Sequence, residues 1–304
     1  MPITVANGLQ YFAPPHPSTA RKGVLFSTAT GIVTQLYQPI LQEWAHLWNA
    51  HLFAHDYPGF GASPESGSVL YQLGKPRIWD VLQMYVKKSF WNAKSHLIDH
   101  HSLPPNFQWT LAGHSLGGWL SMQVATSLFV KEVVALDIPI LTYQQDLAWS
   151  LASQLGFQGL HPLAKSARHR KLHLGDPKDA VRYFKKNAFF QGWPEETILQ
   201  YIQFHYQPLE KGTMVLGHDS HLESDIFESQ PRTFLSSVPF QKNWNETLTV
   251  RALYGKESPF CHAKAKRELN ALCGTLHWQE VPGRHMFVFS HPQEFLEILN
   301  KQKS

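Results

Sequence analysis

The chain has 304 residues, enough to bury a full core either as one large domain or as a domain carrying an insertion. With 43% hydrophobic and 16% charged residues it is globular rather than disordered, and a formal net charge of +4 is too small to mark a nucleic-acid binder. No apolar run approaches the roughly 18 residues of a membrane span, and Met1 to Gln10 lacks the basic start and apolar core of a leader, so a soluble cytoplasmic protein is expected.

In chain order, residues 23–29 read as a buried strand ended by Thr30-Gly31. Leu36, Ile40, Leu41, Trp44, Leu47 and Trp48 recur at helical spacing. Residues 51–55 form a second strand that runs into the turn-rich stretch Asp56-Tyr57-Pro58-Gly59-Phe60-Gly61-Ala62-Ser63. A long helix follows over 76–97, with Pro76 in its first turn. Residues 107–112 are β-prone, 119–126 helical and 132–136 a further strand, which ends in the loop Asp137-Ile138-Pro139. This alternation predicts an α/β fold, a mostly parallel sheet with helices on both faces.

The pattern lapses over 140–241 and then resumes with strands at 247–254 and 275–281. An amphipathic helix at 291–301 closes the chain, with Pro292 early and Phe295, Leu296, Ile298 and Leu299 on its apolar side. The expectation is therefore a core of residues 1–139 and 242–304 interrupted by a helical insertion. That insertion is dense in aromatics: Trp149, Phe157, Tyr183, Phe184, Phe189, Phe190, Trp193, Tyr201, Phe204 and Tyr206. Placed after a strand's carboxyl end, it is suited to roof a largely apolar pocket, though its aromatics serve equally well as its own small core.

Between the β-prone run and the next helix lies Gly113-His114-Ser115-Leu116-Gly117-Gly118. A serine on a sharp strand-to-helix turn presents its hydroxyl to a carbonyl, and the glycines let strand and helix approach. The first helical N–H groups, beginning with that of Leu116, point at a developing oxyanion.

With these features the chain resembles the α/β-hydrolase-fold serine hydrolases that carry a helical cap. The likeness spans nearly the whole length outside the insertion. It rests on the Ala29-Thr30-Gly31 loop, the Asp56 turn, the Ser115 elbow and Gly283-Arg284-His285-Met286-Phe287 near the end. It implies Ser115 as nucleophile and His285 as general base. The Asp56 turn recurs in the fold as structure, not catalysis. The family usually takes its acid from the loop Tyr254-Gly255-Lys256-Glu257-Ser258, three places after the glycine, where this chain has Ser258. Two acids stay open: Asp137, favoured because some lipases of the fold carry theirs after the corresponding strand, and Glu257 as the alternative. The second oxyanion donor falls on Thr30, with Ala29 as its neighbour.

The implied activity is ester hydrolysis of a small or medium apolar substrate, without cofactor. An aspartate nucleophile, as in epoxide hydrolases and haloalkane dehalogenases of this fold, is excluded by Ser115. Carbon–carbon, thioester and amide hydrolysis remain open, as does a non-catalytic binding protein. The 18 histidines form no metal motif, and Cys261 and Cys273 read as buried apolar residues, not a disulfide framework or a redox site. The basic run from Lys165 through Arg168, Arg170 and Lys171 reads as a solvated helix face. Oligomeric state leaves no trace in the sequence.

Overall fold

The computed structural model describes residues 2–5, 8–157, 159, 161–209, 212–230, 248–273 and 276–301. The chain begins with β1 (Ile3–Thr4), β2 (Gln10–Phe12) and β3 (Lys22–Ser27), then α1 (Thr34–Trp48), β4 (Ala50–His55) and α2 (Ile78–His100). Next come β5 (Gln108–His114), α3 (Leu116–Ala125) and β6 (Glu132–Leu136). Between β6 and the next strand of the main sheet, over the expected insertion, come α4 (Tyr143–Gln154), α5 (Pro162–Arg168), β7 (His173–Leu174), α6 (Pro177–Lys185), α7 (Glu195–His205), β8 (Tyr206–Pro208), β9 (Met214–Leu216) and α8 (Ser220–Glu228). The chain ends with β10 (Thr249–Gly255), α9 (Ala263–Cys273), β11 (His277–Val281), α10 (Phe287–Ser290) and α11 (Pro292–Lys301).

An 8-stranded sheet runs in the order β1-β2-β4-β3-β5-β6-β10-β11. All pairings from β4 to β11 are parallel, and β1 and β2 add an antiparallel edge. Both faces of the parallel strands are apolar, and successive residues alternate between two cores. Leu25, Leu111, Val133 and Ala135 meet α2 and α3 through Leu82, Val86, Trp119 and Leu120. Val24, Phe26, Ala112, Val134 and Leu136 belong to the opposite core with Leu36, Leu41 and Trp44 of α1 and Phe295 and Leu299 of α11. The i, i+4 and i+8 spacing of Leu36, Ile40 and Trp44 along α1 is thus what seals one face of the sheet.

Three features differ from expectation. The edge strands β1 and β2, and an antiparallel 3-stranded sheet in the order β7-β9-β8 inside the insertion, have no counterpart in the sequence reading. Strands of two or three residues are too short to carry an alternation. Half of the ten aromatics named for the insertion also pack rather than line a pocket: Phe184, Phe190, Trp193, Tyr201 and Tyr206 are buried in the α1 and α11 core, and Trp193 sits 4.7 Å from Phe289. Residues 231–241 of the expected insertion, Thr247 and Thr275 at the starts of two expected strands, and the Cys273 side chain lie outside the described residues. Cys261 is buried, and burial pushes its thiol up to about 12.

Candidate active site

Strand β5 ends at His114 and α3 starts at Leu116, which leaves Ser115 alone on the turn with φ 54° and ψ −119°. A non-glycine residue at positive φ is strained, and it persists where the surroundings hold it. Here they do: a Cβ on Gly113 would fall 2.3 Å from the Gly117 carbonyl carbon, and one on Gly117 would fall 2.1 Å from the Ser27 oxygen. Only glycines let β3, β5 and α3 converge beneath the serine.

The Ser115 Oγ lies 3.1 Å from His285 Nε2 and the His285 Nδ1 lies 2.5 Å from Asp137 Oδ2. A carboxylate only accepts, so Nδ1 carries the proton and Nε2 accepts from the serine hydroxyl. Asp137 follows β6, itself at positive φ (42°), and its side chain is closed off from solvent. The Gly255 N–H donates to its Oδ1 at 2.8 Å and the Ser258 hydroxyl to its Oδ2 at 2.5 Å. Glu257 is exposed; its N–H donates to the Gly283 oxygen, and its side chain has no contact with His285. Of the two acids, the fold brings Asp137 to the imidazole.

The loop after β3 lines the same cavity through Ala29 and Thr30. Its N–H groups are largely committed: Ala29 to the Tyr37 oxygen at 3.4 Å, Ile32 to the Ala29 oxygen, Val33 to His205 Nε2, and Thr34 to Asp56 Oδ1. Among the described residues the N–H groups of Thr30, Gly31 and Leu116 have no acceptor. Asp56 also takes the Thr34 hydroxyl and the Ala62 N–H, tying the 56–63 turn to the start of α1. Burial raises its pKa despite those donors, and it stands away from the reacting groups as a structural clamp.

The cavity measures about 300 Å³ and has mainly apolar walls: Leu163, Ala167 and Phe189 from the insertion, with Pro259, Phe260 and Met286 from the core. Phe260 meets the His285 ring edge-on at 4.6 Å. The cavity lining also holds a charge pair, Arg170 with Glu223, that corrects the sequence reading of the basic run. Lys165, His169 and Lys171 are solvated, but Arg168 turns inward to Glu228, and Arg170 to Glu223 at 2.5 Å. Arg170 also donates to the Tyr201 oxygen at 2.5 Å. Burial alone would raise the Glu223 carboxyl; Arg170, together with His218 whose Nε2 lies 3.5 Å from Glu223 Oε2, outweighs it and holds the group below its ordinary value. No group of three or more His, Cys, Asp or Glu gathers as a metal site, and no helix is long and apolar enough to cross a membrane, among the described residues.

Sequence reasoning missed Tyr37 and His114, which join two of these loops beneath the serine. His114 stood in plain view as the residue before Ser115; Tyr37 carried no signal beyond an apolar position in a helix.

The profile of the alpha/beta hydrolase family matches residues 33–298, and the chain belongs to that family. No curated protein sequence matches it. Among solved structures it is similar to an E-2-(acetamidomethylene)succinate hydrolase, at 17% identity and TM-score 0.67, covering 99% of this chain and 98% of that one. A thioesterase domain from the curacin biosynthetic pathway superposes with TM-score 0.63 at 14% identity over 98% of each chain. An M. tuberculosis esterase gives TM-score 0.60 at 16% identity, covering 99% of this chain and 90% of that one. Likeness at this identity establishes the fold; chemistry rests on the site.

Proposed function

We propose that this protein is a serine hydrolase that cleaves a carboxylic ester through an acyl-serine intermediate. The observation that carries the reading is the unbroken donation from the Ser115 hydroxyl to His285 Nε2 and from His285 Nδ1–H to Asp137. Ser115 Oγ attacks the carbonyl carbon as its proton passes to Nε2, and Asp137 stabilises the imidazolium so formed. The N–H groups of Leu116 and Thr30 receive the oxyanion, while Ala29, whose N–H is turned to Tyr37, supplies none. Collapse sends the Nε2 proton to the leaving alcohol. Water, activated by the same nitrogen, then releases the acid and restores the serine.

The apolar walls and the size of the cavity suit a small or medium acyl group. The same steps serve a thioester, and the esterase and thioesterase among the structural relatives are consistent with that range. Residues 140–241 are proposed to form the cap over a core of 1–139 and 242–304. A fluorophosphonate probe should label the wild type and not Ser115→Ala, and a panel of p-nitrophenyl esters of rising acyl length should be turned over with a short-chain optimum. A folded wild type that stays unlabelled and inactive on the panel overturns the reading in favour of a binding protein.

A further inference from the structure

Beneath Ser115 a chain of buried hydrogen bonds joins two loops of the site. The Ala29 N–H donates to the Tyr37 oxygen at 3.4 Å. Tyr37 OH and His114 Nδ1 are 2.8 Å apart, and His114 Nε2 lies 2.9 Å from the backbone oxygen of His285. The direction of the chain is fixed at its far end. A carbonyl oxygen only accepts, so His114 carries its proton on Nε2; the bare Nδ1 must then accept from the Tyr37 hydroxyl. Burial holds His114 near a pKa of about 3 and keeps the Tyr37 phenol far above its ordinary value, so neither changes its role near neutral pH. Tyr37 is 1% exposed and His114 fully buried, so solvent does not compete at their side chains.

Each end meets a group the proposed reaction needs. At one end is the peptide of Ala29, next to the Thr30 N–H; at the other is the backbone of the base itself. The middle member, His114, is bonded covalently to Ser115. We infer that His114 and Tyr37 are positioning residues that set the oxyanion loop and the His285 imidazole in register with the nucleophile. Neither touches substrate. They act by removing freedom from groups that must be aligned before reaction. Packing reinforces this: the Tyr37 ring lies 5.1 Å from Phe26 and 4.8 Å from Phe289, which fixes the hydroxyl between the loops.

The inference rests on the reading of Ser115, His285 and Asp137 as a catalytic triad, and its test separates the two. Tyr37→Phe keeps the ring packing and removes only the hydroxyl. His114→Gln retains an N–H able to reach the His285 carbonyl, whereas His114→Leu retains none. On p-nitrophenyl esters, Tyr37→Phe should lower kcat about 10-fold and His114→Leu about 100-fold, with KM within about twofold of wild type. His114→Gln should recover kcat to within about fivefold. Fluorophosphonate labelling rates should fall in the same order. Where His114→Leu fails to fold, a lowered kcat in Tyr37→Phe and a near-native one in His114→Gln support the link by themselves. A wild-type kcat in Tyr37→Phe, or a folded His114→Gln no better than His114→Leu, overturns it. A folded wild type that the probe does not label overturns the triad reading, and this link with it, before any variant is compared.

Discussion

The Ser258 hydroxyl donates to Asp137 Oδ2 across 2.5 Å, on the same carboxylate oxygen that faces His285 Nδ1. Strands β6 and β10 are adjacent and parallel, so the loops that follow them emerge side by side at one edge of the sheet. A carboxylate on either loop is therefore within reach of one imidazole. Here the carboxylate stands after β6 and the neighbouring loop contributes a hydroxyl and the Gly255 N–H, which hold it in place.

The two acids should then separate cleanly in kinetics. Asp137→Asn should lower kcat by roughly 10³–10⁴-fold, because it loses the charge that stabilises the imidazolium and the acceptor that selects its tautomer. Glu257→Gln, on an exposed side chain, should stay within about twofold, and Ser258→Ala should cost about 3- to 10-fold by loosening the carboxylate. Steady-state kinetics on one p-nitrophenyl ester ranks all three. An order with Glu257→Gln at the bottom would reassign the acid.

Much of the geometry of the candidate site was legible because the proposed chemistry uses backbone-strained, position-specific residues. The Ser115 elbow writes itself into the sequence as glycines at 113 and 117, and His285 is marked by its place between the last strand and the last helix. Fold class was legible for a similar reason: strands buried on both faces are continuous apolar runs, and α1 shows its spacing openly. The acid was ambiguous because two neighbouring parallel strands deliver their ends to the same place, a tertiary fact that no local pattern encodes. Arg170 was misjudged because its partner Glu223 lies on α8, 53 positions on in sequence. A charge run reads as solvated until its counter-charge is located.

Gly117→Ala should be far more damaging than an ordinary Gly-to-Ala change in a helix, which stabilises by a few tenths to 1 kcal/mol. The added Cβ would fall 2.1 Å from the Ser27 backbone oxygen, so α3 or β3 must move. We expect a loss of about 3 kcal/mol or more in urea unfolding, together with lost probe labelling, since Ser115 rides on the same turn. A stabilised or neutral variant would show that the close approach is not tight.

The buried histidines should make the fold acid-labile. Burial is the chief cause that holds His55, His114 and His205 at about 3 and His51 at about 4, against 6.5 for the unperturbed group. As pH falls through 6.5 the unfolded chain binds protons that the folded chain does not, so their contribution is complete above about pH 7 and is lost progressively down to about pH 3–4. Between pH 7 and 5 each removes roughly 2 kcal/mol, and together they approach the whole stability of a typical domain. Among the described residues both ring nitrogens of His55 lack partners, so His55→Phe should flatten the dependence of unfolding free energy on pH by about one proton and raise stability at pH 5. Urea titrations at pH 7.5 and 5 would read this directly, and an unchanged slope would remove His55 from the account.

The pair of Arg170 and Glu223 offers a last test of what the insertion does for the site. The Arg170 side chain is 19% exposed and that of Glu223 is 3% exposed, and Glu223 presses on the loop after β3, where a Cβ on Gly31 would fall 2.6 Å from its Oε1. Arg170→Met leaves that buried carboxylate with only His218, 3.5 Å from its Oε2, and should cost about 3–5 kcal/mol, whereas Arg170→Met with Glu223→Leu should recover most of it because the buried carboxylate is removed with its counter-charge. A double-mutant cycle by urea unfolding measures the coupling. The single variant should also lower kcat more than the double, since an uncompensated negative charge beside the oxyanion opposes the charge that develops there. Equal stability of the single and double variants would mean that water entering from the cavity already screens Glu223, and the pair would then be only an exposed ion pair worth about 1 kcal/mol or less.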